Sequence, residues 1–140
     1  LWMLAVACGL AVGSWGPVYW DSFGYVTQAL TGEVGGLGFG RPVFAALSQA
    51  VAAGWQGIGG SVWHLEPVLR WLCLALTALA APATWALARE LGFDRRASLF
   101  AGALVATSPA LAHSGFAVLT DGPTVPFVVL AVFWAVRAAR

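Results

Sequence analysis

Four long stretches without charge limit what this chain can fold into. They are residues 1–20, 71–88, 97–120 and 122–136, none of which holds an Asp, Glu, Lys or Arg. A membrane-spanning helix needs about 20 mainly apolar residues. Hydrophobic residues make up 60% of the chain and charged residues 9%, which is too little charge to cover the surface of a soluble domain. The sequence therefore predicts an integral membrane protein.

The predicted fold is all-α, a polytopic transmembrane helical bundle of about four spanning helices. We expect the spans near residues 1–18, 68–88, 97–112 and 121–138. Prolines at 109, 123 and 126 are expected to break or kink the last two. The first stretch has no basic flank of the kind that precedes a signal sequence. Residues 1–140 are thus interpreted as the N-terminal part of a larger transmembrane domain.

Two segments between the first two spans are amphipathic but too short to cross a bilayer. Their large apolar side chains recur at helical spacing: Phe23, Val26 and Leu30 in residues 22–31, and Val43, Phe44, Leu47 and Val51 in residues 43–53, where they oppose Ser48 and Gln49. Eleven helical residues reach about 16 Å, roughly half of the hydrocarbon thickness. The sequence predicts two interfacial helices in the first outer loop.

Arginine bias predicts the orientation, because cytoplasmic loops collect basic residues. The loop 89–96 holds three of the seven basic residues, and Arg137 and Arg140 add two more. We therefore place that loop inside, so that residues 19–65 and the turn near 112–121 lie outside. The acids Asp21, Glu33, Glu66 and Asp121 then share the outer side with both histidines, His64 and His113.

Several function classes find no support in the sequence. A net charge of +1 gives no basic field for nucleic acid. The glycine-rich segment 32–42 lacks the nucleotide-binding fingerprints. Cys8 and Cys73 have no CxxC spacing. A divalent metal held by His64, Glu66, His113 and an aspartate is conceivable, but the spacing is not diagnostic, so we predict no cofactor and no metal.

Three residues stand out on the outer side, each with a plain alternative. Asp121 lies inside an apolar hairpin, where a carboxylate is costly and indicates function, although it could simply cap the last helix. Asp21 follows the first span, where Tyr19 and Trp20 form an ordinary aromatic belt. Arg41 precedes Pro42 and could bind a phosphate with its planar fork, or only lipid headgroups.

The order of these residues resembles the GT-C glycosyltransferases, especially the protein O-mannosyltransferases and the lipid A aminoarabinose transferase. The matching motifs are Asp21-Ser22-Phe23-Gly24-Tyr25, Gly40-Arg41-Pro42, Ser108-Pro109 and Thr120-Asp121-Gly122-Pro123. Many relatives have Asp-Glu at the first motif and Lys-Pro-Pro at the second. The resemblance covers nearly the whole chain, and it rests on the order and spacing of short motifs.

The resemblance implies an enzyme that moves a sugar from a polyprenyl-phosphate donor to an acceptor hydroxyl of a protein, lipid or glycan. Asp21 would be the catalytic base and Asp121 a second catalytic carboxylate, while Arg41, Tyr25 and His113 would bind substrate. It further implies an inverting, mannosyltransferase-like reaction in the bacterial inner (plasma) membrane, with the site facing the periplasm or exterior. The 140 residues are not expected to be active alone.

Two other functions remain open from the residues themselves. One is a transporter or proton-coupled carrier that uses Asp121 as its intramembrane charge. The other is a non-catalytic subunit of a membrane assembly. A carrier needs no interfacial helices in its first outer loop, and an assembly subunit needs no carboxylate at position 121, so the transferase explains more of the sequence.

Overall fold

A computed structural model describes residues 1–12, 20–33, 42–118 and 121–140, and the regular structure in these ranges is entirely helical. The helices are α1 (Trp2–Val12), α2 (Trp20–Thr31), α3 (Pro42–Gly57), α4 (Leu65–Ala78), α5 (Ala80–Glu90), α6 (Arg95–Ala106), α7 (Pro109–Gly115) and α8 (Asp121–Ala138). A turn of 3-10 helix at Val62–His64 leads into α4. The all-α prediction is confirmed.

Helices α4 and α5 are one long helix with a local defect. The break falls at Leu79, because Pro82 has no N–H for the Ala78 carbonyl and its ring crowds that carbonyl. At the break, the Leu79 N–H donates to the carbonyl of Leu76, three residues back, at 3.0 Å. The α-helix then resumes. From Val62 to Glu90 it counts 29 residues, or about 43 Å. It contains the predicted span 68–88.

By length and composition, two helices in the described ranges can cross a membrane: the long helix and α8, Asp121–Ala138. Helix α1 is apolar but shorter. The predicted span 97–112 is divided into α6 and α7, because Pro109 cannot continue a helix and the Ser108 hydroxyl accepts the Leu111 N–H, capping a new one. The number of spans therefore stays a prediction.

The long helix forms the axis around which the bundle packs. Helix α5 packs on α6 and on α8, and the Arg140 guanidinium reaches the Glu90 carboxylate at 3.5 Å. We call this end of the bundle, where α5 and α8 terminate, the arginine end. On the other side α1 crosses α4 closely: a Cβ on Gly9 would lie 2.4 Å from Leu74 Cδ1, as expected of small residues between membrane helices.

Helices α2 and α3 pack on each other and on the first half of α4, away from the arginine end. Only part of the expected apolar face is buried. Phe44 lies in the core, and Val26, Leu30 and Val51 pack against it. Phe23 and Val43 are instead 63% and 74% exposed, whereas Gln28 and Ser48 are buried. The Ser48 hydroxyl donates to the Ala45 carbonyl at 2.9 Å. Tyr25 and Phe44 are also buried, so the inward face mixes aromatic and polar side chains. The apolar side chains of Phe23 and Val43 face outward, which suits lipid surroundings. The interfacial location stays a prediction.

A tight turn joins α3 to the long helix. Gly59 has a φ of +81°, and the Gly60 N–H donates to the Trp55 carbonyl at 2.8 Å. The Trp55 indole Nε1 donates to the Ser61 carbonyl at 2.9 Å. A Cβ on Gly60 would lie 2.2 Å from the indole ring, so this position has to be glycine. The turn is closed by both backbone and side-chain hydrogen bonds.

Candidate functional site

Asp121 is the first residue of α8, and its side chain is exposed. The next residue, Gly122, is buried against Thr77: a Cβ built on Gly122 would lie 2.6 Å from Thr77 Oγ1. Thr77 follows Val62, the start of the long helix, by 15 residues, or about 22 Å along the axis. Asp121 therefore begins its helix beside the middle of the long helix rather than beside its end.

Thr77 is approached from both sides of Asp121, by Gly115 before it and by Gly122 after it. Gly115, at the end of α7, also lies close to Thr77. A Cβ built on Gly115 would lie 2.9 Å from Thr77 Cβ. We call the residues from Gly115 to Gly122 the Asp121 segment; the structure describes all of it except 119 and 120. Its ends are fixed on one residue of α4 by two contacts that admit only glycine.

Two side chains of the Asp121 segment, Phe116 and Val118, are buried beside α4. Phe116 is 5% exposed and Val118 0%. The Arg70 guanidinium carbon lies 5.7 Å from the centroid of the Phe116 ring, in cation–π geometry. Arg70 also forms an ion pair with Glu66, one turn earlier in α4. A cation buried in the long helix thus contacts the segment that leads to Asp121.

The Asp121 segment and α2 meet in one buried cluster, which we call the Tyr25 cluster. Its members are Tyr25, Ala29, Phe44, Ala52, Leu65, Leu69, Cys73 and Val118. Tyr25 comes four residues after Asp21, one helical turn along α2, and Val118 comes three residues before Asp121. The cluster therefore draws together the parts of the chain that carry the two aspartates, although they are a hundred residues apart.

The structure places the predicted site residues unequally. Asp21 lies in the first turn of α2, but its side chain is outside what the structure describes, and so is the whole of Arg41. Tyr25 is a core residue, 1% exposed, with its ring edge-on to Phe44 at 5.4 Å. His113 is exposed in the last turn of α7. The assigned roles of these residues remain predictions.

One cavity among the described residues has a volume of about 10 Å³, which is room for one water. It lies between α1, α4, α5, α6 and α7, with Thr77 and Leu111 in its wall. The described ranges contain no group of three or more His, Cys, Asp and Glu side chains that could hold a metal ion.

Hydropathy and motif spacing did not single out Arg70 or its pairing with Glu66. The signal that could have found the pair is its i, i+4 spacing, which forms an ion pair on a helix, just before the charge-free stretch 71–88. An ionisable pair at that position lies within the helix that is predicted to span the membrane, where charged side chains are costly and indicate a function. The aromatic partner, Phe116, could not be inferred from spacing.

Comparison with known proteins supports the same assignment. A family model described as dolichyl-phosphate-mannose-protein mannosyltransferase matches residues 55–140, more than half of the chain. The match includes His113 and Asp121 and begins after Asp21 and Arg41. No curated protein and no solved structure matches the chain. The family uses a polyprenyl-phosphate-linked sugar, and with the long apolar helices it indicates an integral membrane glycosyltransferase. The chain belongs to the dolichyl-phosphate-mannose-protein mannosyltransferase family.

Proposed function

We propose that the protein transfers a mannose-like sugar from a polyprenyl-phosphate donor to an acceptor hydroxyl at the outer membrane face, with inversion. The observation that carries this proposal is the Tyr25 cluster. It joins α2 one turn after Asp21 to the Asp121 segment three residues before Asp121. Two carboxylates at one place beside the apolar long helix suit a donor whose tail is lipid and whose reacting carbon is polar.

The chemistry is a single displacement. The acceptor oxygen attacks the anomeric carbon while the bond from that carbon to the phosphate oxygen breaks, and the polyprenyl phosphate leaves with the electron pair. Asp21 accepts the proton of the acceptor hydroxyl, as a general base does. Arg41 contacts the phosphate and stabilises the charge that develops there. Asp121 and His113 orient the substrates from the other side of the site.

The depth of Asp121 supports a membrane-embedded site. Its helix starts beside Thr77, near the middle of the 29-residue helix. A carboxylate at that level is costly unless it faces a polar cavity or a ligand. A donor phosphate and sugar drawn slightly below the headgroups would fill such a cavity, while the polyprenyl tail stays in the hydrocarbon.

The experiment uses the full-length protein in proteoliposomes with a synthetic polyprenyl-phosphate mannose. Asp21→Asn keeps the shape of the side chain but cannot accept a proton, so turnover should fall by about 100- to 10,000-fold while donor binding is kept. Asp121→Asn should lower turnover comparably if it orients substrate. The matched control is Asp94→Asn: Asp94 caps α6 by accepting the Ala97 N–H at 2.7 Å, and Asn caps equally well.

The stereochemistry of the product is a separate readout. A single displacement inverts the anomeric carbon, so an α-linked product should come from a β-linked donor. Normal turnover in Asp21→Asn, or a product that retains the donor configuration, would contradict this mechanism. A loss of turnover in Asp94→Asn as large as in Asp21→Asn would mean that the assay reports folding rather than chemistry.

A further inference from the structure

We infer that Arg70 is a positioning residue, which holds the Asp121 segment in place through Glu66 on one side and Phe116 on the other. This inference rests on the proposed function of Asp121. Arg70 itself has no assigned role in the mechanism above. It acts on the reaction through Phe116 and therefore touches neither donor nor acceptor.

The first support is the burial of Arg70. The residue is 8% exposed and lies in the second turn of α4, inside the long apolar helix. A buried guanidinium requires partners that compensate for lost hydration. The Glu66 carboxylate accepts from Arg70 Nε, and this pairing fixes the plane of the guanidinium at a defined position on α4.

The second support is the contact between the Arg70 guanidinium and the Phe116 ring. The Phe116 ring lies under the guanidinium at 5.7 Å and is itself 5% exposed. The packing of Val118 in the Tyr25 cluster is apolar and gives no preferred orientation. The cation–π contact is directional, since it needs the ring face toward the cation. Arg70 thus selects one orientation of the segment.

The third support is the geometry of the Asp121 segment. Both of its ends touch Thr77, through Gly115 and Gly122, whereas Phe116 contacts Arg70 two turns earlier on α4. The described residues Gly115–Val118 are thus held at Thr77 and at one point two turns away, on Arg70. Loss of the Arg70 contact frees Phe116 and Val118, while Gly115 and Gly122 stay against Thr77.

The test compares variants in the full-length protein, reconstituted in proteoliposomes. Phe116→Leu removes the ring but keeps an apolar side chain, and Phe116→Tyr keeps the ring. We expect Phe116→Leu and Arg70→Met each to lower kcat at least tenfold with the donor KM unchanged, and Phe116→Tyr to retain activity. Arg70→Met removes the Glu66 ion pair and also the cation that the Phe116 ring contacts. Phe116→Leu then has no cation contact left to break, so the double variant should be no worse than the poorer single one. Phe100→Leu, an exposed ring on α6, is the matched control.

A second readout does not depend on activity. Val118→Cys should resist a water-soluble maleimide, because Val118 is fully buried, and should become reactive when Phe116→Leu or Arg70→Met is added. The same variants with only native Cys8 and Cys73 give the background. If Arg70→Met fails to fold, Phe116→Leu alone tests the role of the contact, because it leaves every charged residue in place.

The outcomes separate the two proposals. Strict additivity of the single variants, or labelling of Val118→Cys that stays low in every combination, would overturn the positioning role of Arg70. A drop in kcat that Phe116→Tyr fails to rescue would do the same. Normal turnover in Asp121→Asn would instead overturn the proposed function of Asp121, and the labelling result would still decide whether Arg70 holds the segment.

Discussion

The contact between Gly122 and Thr77 gives the sharpest test of how Asp121 is held. In Gly122→Ala the new Cβ would lie 2.6 Å from Thr77 Oγ1 and 3.0 Å from the backbone of Ser114 and Gly115, whereas ordinary contact begins at 3.4 Å. Because two of these neighbours are backbone, they cannot rotate away. To reach ordinary contact, the start of α8 has to retreat by roughly 0.4 Å from this backbone in a closely packed interior. The retreat rises to roughly 0.8 Å where the Thr77 hydroxyl keeps its position.

That displacement sets the size of the expected effect. Overpacking of this kind costs about 1–3 kcal/mol of stability. A misplacement near 1 Å next to a reacting group costs about 100-fold in rate, and Asp121 is the adjacent residue. We therefore expect Gly122→Ala to fold with reduced stability and to lose turnover about 100-fold.

Turnover is measured in proteoliposomes with the polyprenyl-phosphate donor, and stability by the thermal reaction of buried Cys73 with a thiol-reactive dye. The control is Gly54→Ala in α3, where a Cβ would have no atom of the described residues within 4 Å. Thr77→Ala should rescue Gly122→Ala in part, because it removes the hydroxyl contact but leaves the backbone ones. A Gly122→Ala protein with normal turnover and normal thermal stability would refute the reasoning.

Two further predictions concern the donor and the orientation. Arg41→Ala should weaken donor binding by about 1.5–3 kcal/mol, the worth of a charge-assisted hydrogen bond, while exposed Arg96→Ala should leave it unchanged; equal affinities would reduce Arg41 to a headgroup contact. A cysteine at exposed Gln56 should react with an impermeant maleimide added outside, and one at exposed Ala97 only after the cytoplasmic side is opened; the reverse pattern would put the aspartates on the wrong side.

Much of the helical framework follows from the sequence alone. Charge-free stretches locate the long helix and α8, and proline chemistry explains the breaks at Leu79 and before Pro109. The described helix α8 covers Asp121–Ala138, and its crossing of the membrane as the predicted span 121–138 stays a prediction. These features are local, since each depends on residues within a few positions of one another.

Only part of the faces that α2 and α3 bury could be inferred in the same way, namely Phe44 and the side chains of Val26, Leu30 and Val51 that pack beside it. In water, large apolar side chains mark the inner face of a helix, but a helix beside lipid has apolar surroundings on both sides. Phe23 and Val43 therefore point outward, and Gln28 and Ser48 inward. Among the described residues, buried Gln28 Nε2 finds no hydrogen-bond partner, which hydropathy patterns cannot foresee.

The sequence predicted that the candidate residues share the outer side, but not the contacts around them. Both aspartates were chosen for their place after or within apolar stretches, and the Tyr25 cluster explains how the chain brings those places together. The contact of Arg70, paired with Glu66, with the Phe116 ring joins residues 46 positions apart. A single sequence contains no signal for such a contact.

The tight turn between α3 and the long helix has a consequence for how the protein senses its bilayer. Because the Trp55 indole and the Gly60 backbone lock this turn, α3 cannot swivel independently of Val62–Glu90. A helix longer than the local hydrocarbon thickness tilts to fit it, and 29 residues exceed that thickness. A tilt of the long helix would carry α3 with it, together with the α3 residues of the Tyr25 cluster. We therefore expect membrane thickness to affect the packing of that cluster.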